Sequence, residues 1–313
     1  MRAKREFILS LITVLFVFFT VSFGVNIGVN MGELSEGRAG IFLDVGKASI
    51  FGNPAGAVFI DKWYLGYGMA MDNSQELSIT EHDVFIAQPL SNNFAGFMKL
   101  ILRDEYGVLN EQQLDEKTIG FSYSVSSFIF GRTAVGVTLN LYRLNGLEGK
   151  LYAFDSDIGF LAPIFKDVYL SGTIKGLLGW ASAQNPLLPT PITLGIGVVA
   201  NSNEGSLYLG TRFGGNLGGM EDAYITFGGR IDKQPVDAGM YADIKYGFSG
   251  DAQTVYEFFK NLISDVYVGG KIGISIAGVS AGIFGKFGAN QLQTEGIASA
   301  LTARGGLYIS VEW

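Results

Sequence analysis

From Val266 to Ile276 the chain alternates: Val266, Val268, Ile272, Ile274 and Ile276 fall on one side, with Tyr267, Lys271 and Ser275 on the other and glycines at 269, 270 and 273. A period of two with one apolar side marks a strand with polar surroundings on one face only. Met240, Ala242, Ile244 and Tyr246 oppose Tyr241, Asp243 and Lys245 in the same way, and Leu170, Gly172, Ile174 and Gly176 oppose Ser171, Thr173 and Lys175. The pattern runs through about fourteen segments, starting near Val58, Glu81, Asn93, Lys117, Arg132, Lys150, Asp167, Thr190, Gly205, Asp222, Asp237, Asp265, Val279 and Ala300. Most are about 8–13 residues long, against ~5–6 for soluble strands, a length that suits a tilted crossing of an apolar layer ~25–30 Å thick.

The connections point the same way. Long gaps are expected at 71–80, 104–116, 179–189, 248–264 and 288–299, and short ones at 89–92, around Gly131, at 201–204, at 232–236 and at Ala277-Gly278. Alternation of long and short follows when a meander crosses a membrane, because odd and even connections emerge on opposite sides. Unpaired strand edges are costly in lipid, so the sheet must close. The expected fold is all-β: a transmembrane antiparallel up-and-down barrel of about fourteen strands. In 251–264, Asp251 can cap a helix carrying Val255, Phe258, Phe259, Leu262 and Ile263, either a lid or a filler of a long loop.

Composition removes other classes. Only 16% of residues are charged while 48% are hydrophobic, too little charge for an ordinary water-facing surface. The net charge of −7 leaves no basic stripe for nucleic acid. With no cysteine and one histidine, neither a metal site nor a cofactor is expected. Arg2, Lys4 and Arg5 precede an apolar run over 7–19 broken only by Ser10 and Thr13, with Ser22 and Gly24 suited to cleavage. Residues 1–24 therefore read as a signal peptide, an uncleaved anchor being the alternative. Residues 25–57 hold Gly37-Arg-Ala-Gly40 and Phe51-Gly-Asn53-Pro54-Ala55-Gly56, small residues and a rigid turn that suit a compact hatch, leaving 58–313 for the barrel. A solvated tail is the other reading of that stretch.

The lumen-facing set is expected to include Lys99, Lys175, Arg212, Arg230, Asp243, Lys245, Lys271, Lys286 and Glu312, in which cations outnumber acids. These groups either pair with one another along a hydrated wall or hold an anionic head group. Gly195-Ile-Gly197-Val-Val-Ala200 matches a loose dinucleotide fingerprint, but a turn follows where a helix is required. Gly278-Val-Ser280-Ala-Gly282 matches a nucleophile elbow with His82 as the one available imidazole, a serine-lipase reading disfavoured because the alternation continues through Ser280. Asp155 and Asp157 supply too few oxygens for calcium and read as polar strand residues.

The stretch AGIFLDVGKASIFGNPAGAVF resembles the N-terminal signature of the FadL-like outer-membrane superfamily, with Asn53, Pro54, Ala55 and Gly56 as its motif. Asp157-Ile-Gly-Phe-Leu, Tyr169-Leu-Ser-Gly and Pro189-Thr-Pro-Ile-Thr-Leu-Gly195 are similar to the middle of its PorV/PorQ branch. The resemblance implies a fourteen-stranded barrel with an N-terminal hatch in the bacterial outer membrane. It implies either passage of small hydrophobic or amphipathic molecules, as in fatty-acid transporters, or service as an interaction barrel in protein secretion. The chain ends on Arg304-Gly-Gly306-Leu-Tyr-Ile-Ser-Val-Glu-Trp313. Leu307, Ile309, Val311 and Trp313 are expected to face lipid, with Arg304, Tyr308, Ser310 and Glu312 facing the lumen. This final strand, with Gly306, resembles the signal by which barrel-assembly machinery recognises its clients.

Overall fold

The computed structural model describes residues 31–73, 77–109, 112–146, 149–182, 192–202, 204–216, 219–246, 263–289 and 301–313. A short helix α1 (Met31–Glu36) and three 3-10 turns (Gly40–Leu43, Gly46–Phe51 and Pro54–Phe59) precede the strands. The strands are β1 (Tyr64–Asn73), β2 (Leu77–Ser91), β3 (Phe94–Leu109), β4 (Gln112–Phe130), β5 (Thr133–Gly146), β6 (Gly149–Pro163) and β7 (Val168–Ala181). They continue with β8 (Ile192–Ser202), β9 (Gly205–Asn216), β10 (Gly219–Lys233), β11 (Val236–Tyr246), β12 (Ile263–Ile276), β13 (Val279–Ala289) and β14 (Leu301–Glu312). Each pairs antiparallel with its sequence neighbours, and β1 pairs with β14 from Tyr64↔Glu312 to Asp72↔Arg304, so fourteen strands close into a barrel with no free edge.

The alternation read from sequence places side chains as a closed sheet requires. On β14, Leu307, Ile309 and Val311 are 40–47% exposed on the outer wall, while Tyr308 and Ser310 are buried on the inner one. Trp313 stacks on Trp63 with ring centroids 6.4 Å apart, and its backbone N–H donates to the Trp63 carbonyl at 3.2 Å. This pair, with Phe130 and Phe165, forms an exposed aromatic rim at the short-turn end, as expected where a barrel wall meets a membrane interface. The turns there are tight: Asn92 and Asn93 (φ 51° and 71°) and Ala277 and Gly278 (φ 50° and 82°) take the left-handed pairs that match strand twist in two-residue hairpins.

Several boundaries differ from expectation. The first strand starts at Tyr64 rather than near Val58, because Pro54, with its fixed φ, opens a 3-10 turn that carries the chain through Val58 and Phe59. Strands run 10–19 residues rather than about 8–13. Much of the expected gaps at 71–80 and 104–116 is strand, since β1, β2, β3 and β4 continue pairing toward the long-connection end. Once two antiparallel strands are in register, each further residue adds ladder bonds, and polar outward residues such as Asp104 and Lys117 suit that extension to water. The expected helix over 251–264 lies outside the described residues up to 262, and Ile263 belongs to β12.

Candidate functional site

The described part of the N-terminal segment lies inside the barrel. Helix α1 and the three 3-10 turns between them contact all fourteen strands, which only a segment within the lumen can do. Its local structure follows from the small-residue motifs. Gly37, at φ 83°, ends α1, with its N–H donating to the Glu33 carbonyl at 3.2 Å. A Cβ there would lie 2.6 Å from Thr226 Cγ2, so glycine answers both the turn and the close wall. The next two amides reach the wall: Arg38 N–H donates to the Asp243 carboxylate at 3.1 Å and Ala39 N–H to Thr226 Oγ1 at 2.9 Å.

Asn53, Pro54, Ala55 and Gly56 are buried on the other side of the lumen. Asn53 Oδ1 accepts from the Ala55 N–H at 3.0 Å, while Nδ2 donates to Ser171 Oγ at 2.8 Å and the Phe160 carbonyl at 3.2 Å. One side chain thus caps its own turn and binds β6 and β7. The wall admits this approach because it is bare: a Cβ on Gly159 would lie 2.0 Å from Asn53 Oδ1, and one on Gly195 would lie 2.1 Å from Phe42 Cγ. Gly195 and Gly197 of the dinucleotide-like stretch therefore serve packing in β8, and no helix follows them.

The inner-wall charges all face inward, and their partners are the feature that composition concealed. Glu33, Glu36 and Asp44 belong to the N-terminal segment. Glu33 pairs with Arg212 at 3.0 Å, Asp44 with Arg230 at 3.5 Å, and Glu36 with Lys271 at 3.7 Å and Arg230 at 3.9 Å. Arg230 also donates to the Val45 carbonyl at 2.6 Å, and the Tyr208 hydroxyl donates to the Glu36 carbonyl at 2.9 Å. The wall supplies the rest: Lys286 pairs with Asp243 at 2.7 Å, Lys271 with Asp237 at 2.9 Å and Lys245 with Asp265 at 3.7 Å. Lys47 of the segment pairs with Glu312. The expected excess of wall cations does not hold: Asp72, Glu81, Asp83, Asp155, Asp157, Asp237 and Asp265, absent from the expected set, also face inward, and the segment adds Glu33, Glu36 and Asp44 to them.

Buried carboxyls make this docking sensitive to pH. Burial, reinforced by the neighbouring Glu36 charge and opposed by Arg230 and Lys271, pushes Asp44 up to about 8. Burial opposes ionisation of Glu33 too, but Arg212, Arg38, Lys286 and Lys175 outweigh it and hold its carboxyl below the ordinary value of 4.5. The signs differ. Asp44 binds protons more readily docked than free, so its contribution to docking is full below 3.8 and is lost as pH rises through about 8. Glu33 contributes above 4.5 and loses its contribution as pH falls through its lower docked value. Protection of the segment's amides, taken as exchange relative to the intrinsic rate at each pH, should therefore be greatest in mild acid and fall on both sides, and Asp44→Asn should flatten the alkaline limb.

Below the segment, toward the short turns, a cavity of about 390 Å³ is lined by Lys47, Tyr64, Arg230, Asp232, Asp237 and Lys271 among others. Its polar lining contrasts with the apolar packing of Phe51 on Phe85 (5.2 Å) and of Phe59 on Tyr169 (5.3 Å). The lipase reading fails on geometry. Ser280 faces the lumen and bonds Ser275 at 2.9 Å, whereas His82 faces outward and its Nδ1 lies 2.7 Å from the Tyr67 hydroxyl. A wall of sheet separates them. Asp155 and Asp157 face inward, both accept from Asn140, and no group of metal-ligating residues forms among the described residues.

The closed fourteen-strand barrel has counterparts among solved structures. The CymD monoaromatic hydrocarbon channel superposes with a TM-score of 0.63 at 8% identity, covering 92% of this chain and 98% of that one. The barrel has the fold of these channels. The Pseudomonas putida toluene transporter TodX matches with a TM-score of 0.56 at 9% identity, covering 94% and 99% of the two chains. A Pseudomonas aeruginosa FadL homologue matches at 0.54 with 12% identity, covering 93% and 99%. No protein-family model and no curated protein matches the sequence.

Proposed function

We propose that the chain is an outer-membrane channel for small hydrophobic or amphipathic molecules, kept shut by a plug formed from its N-terminal segment. The observation that carries this reading is the filled lumen: one segment, bonded to β11 through Asp243 and to β7 through Ser171 and in contact with all fourteen strands, obstructs a barrel whose fold is that of hydrocarbon channels. Catalysis has no part in it; passage would follow from solute binding and plug movement. The polar cavity beneath the plug stabilises water better than an apolar solute, so the plug must shift before cargo leaves by that end. Toluene entry into liposomes tests the reading. Vesicles holding the protein should take up toluene faster than protein-free vesicles, and equal rates would end the channel reading.

Bacterial export through residues 1–24 and recognition by barrel-assembly machinery belong to the same reading. Trp313 supports the second, because it secures the seam by stacking on Trp63 where β14 closes on β1. Deleting Trp313 should lower the outer-membrane fraction of the protein and leave the remainder unfolded, as heat-modifiable gel mobility would reveal. Normal insertion without it would remove that role.

A further inference from the structure

Positive charge on the outer wall is confined to one sector. In the half toward the long connections, the outward-facing cations among the described residues are Lys117 on β4, Arg143 on β5 and Lys150 on β6. The other cations of that half, among them Arg103, Lys175, Arg212, Lys245, Lys286 and Arg304, face the lumen. The three outward strands are neighbours and their registers meet: Lys117 pairs with Asn145 and Asn145 with Lys150, while Arg143 lies between Ile119 and Tyr152. At about 4.8 Å per strand the cluster covers about 10 Å of wall, comparable with one lipid headgroup.

Its height on the barrel follows from its neighbours. Toward the short turns the same face becomes apolar at once, with Ile119, Phe121, Leu139 and Leu141 all exposed. Tyr152, beside Arg143, is exposed at this boundary, as is Trp180, which stacks on Phe154 with ring centroids 6.2 Å apart. Such aromatic side chains collect where a barrel wall passes from hydrocarbon to headgroups, so the cations stand at headgroup level. The longer connections of an outer-membrane barrel lie outside the cell, which makes this the outer leaflet.

The face does not neutralise itself. Its two outward acids, Asp104 and Asp115, lie on the β3–β4 flank. Asp104 is 3.9 Å from Lys117, with both side chains exposed, a pair that contributes little in water. Among the described residues no acid lies within ion-pair distance of Arg143 or Lys150, and Arg143 Nε is shut off from solvent without a hydrogen-bond partner. A guanidinium N–H left unmet at the edge of hydrocarbon is costly, and phosphate oxygens match its planar fork.

We propose that this sector binds a phosphorylated, net-anionic lipid of the outer leaflet, its phosphates against Arg143 and Lys150 with Lys117 at the edge, and its acyl chains along Ile119, Phe121 and Leu141. The site is independent of the passage of any solute. Native mass spectrometry of the full chain in detergent tests it with diphosphoryl lipid A, monophosphoryl lipid A and phosphatidylcholine. Diphosphoryl lipid A should be retained about tenfold more tightly than phosphatidylcholine, with the monophosphoryl form between them. Arg143→Gln combined with Lys150→Gln should bring lipid A down to the level of phosphatidylcholine, whereas Lys233→Gln, at the short-turn end, should leave retention unchanged. If the double variant lacks the heat-modifiable mobility of a folded barrel, Lys117→Gln combined with Lys150→Gln is read in its place and should lower retention at least about threefold. Equal retention of lipid A and phosphatidylcholine, retention that survives the substitutions, or an equal loss in Lys233→Gln would overturn the site. Displacement of lipid A by inorganic phosphate would mark a free-anion site, and tighter binding of polyglutamate than of lipid A would mark a surface for acidic protein; either result removes the lipid assignment.

Discussion

Removing residues 31–60 should turn a closed barrel into an open pore, with conductance in planar bilayers rising by at least about tenfold over the full chain. The expectation follows from where the deleted atoms lie. Leu34, Ile41, Phe42, Leu43 and Ile50 are each at most 2% exposed inside the ring of strands, and no described wall element stands ready to replace them. The wall itself should survive. Its ladder is continuous around fourteen strands, and Arg212, Arg230, Lys271 and Asp243 would exchange plug partners for water rather than for a dry void. Equal conductance of the two forms would show that the segment does not obstruct the lumen in the membrane.

Replacing Arg230 with methionine should be the most damaging single change to docking. Its guanidinium lies between Glu36 and Asp44, side chains 2% exposed each, and also holds the Val45 carbonyl. Breaking a buried ion pair from one side costs about 3–5 kcal/mol, because the remaining charge stays buried. Lys271 still reaches Glu36, and Asp44, already pushed up to about 8 beside Arg230, can take up a proton once that charge is gone, so the loss should not exceed the lower end, about 3 kcal/mol, at most roughly a hundredfold in the ratio of docked to undocked segment. Amide exchange over Gly40–Phe51 should accelerate accordingly at pH 8, and acid should restore part of the protection by neutralising the orphaned carboxyls. Unchanged exchange at pH 8 would mean that the latch contributes nothing to docking.

Much of the wall could be read from residue order because strand pairing in a meander is local. Each hairpin partner is the next segment, and lipid on one face sorts Leu307, Ile309 and Val311 from Tyr308 and Ser310 at every second step. Strand ends were less legible. Pairing extends past the apolar band wherever two neighbours stay in register, and polar residues such as Asp104 and Lys117 carry no mark that separates extended ladder from loop. The candidate site was legible only in part. Inward charges follow from alternation, so Lys99, Arg212, Arg230 and Lys271 could be placed on a face, whereas their partners could not. Ion pairs such as Glu33 with Arg212 join residues far apart in sequence that share no periodic relation.

Alternation, strand length and the rarity of charge were sufficient to require a closed lipid-facing barrel, since no other sheet can satisfy its backbone in hydrocarbon. The three-dimensional arrangement alone decided that Asn53 would cap its own turn and bind Ser171 at once, that Gly159 and Gly195 would face Asn53 and Phe42 of the N-terminal segment, and that Ser280 and His82 would face opposite ways. Periodicity specifies which face a residue takes, because that depends on its neighbours along the strand. What meets it across the lumen depends on closure and on the path of a separate segment, and neither leaves a periodic trace.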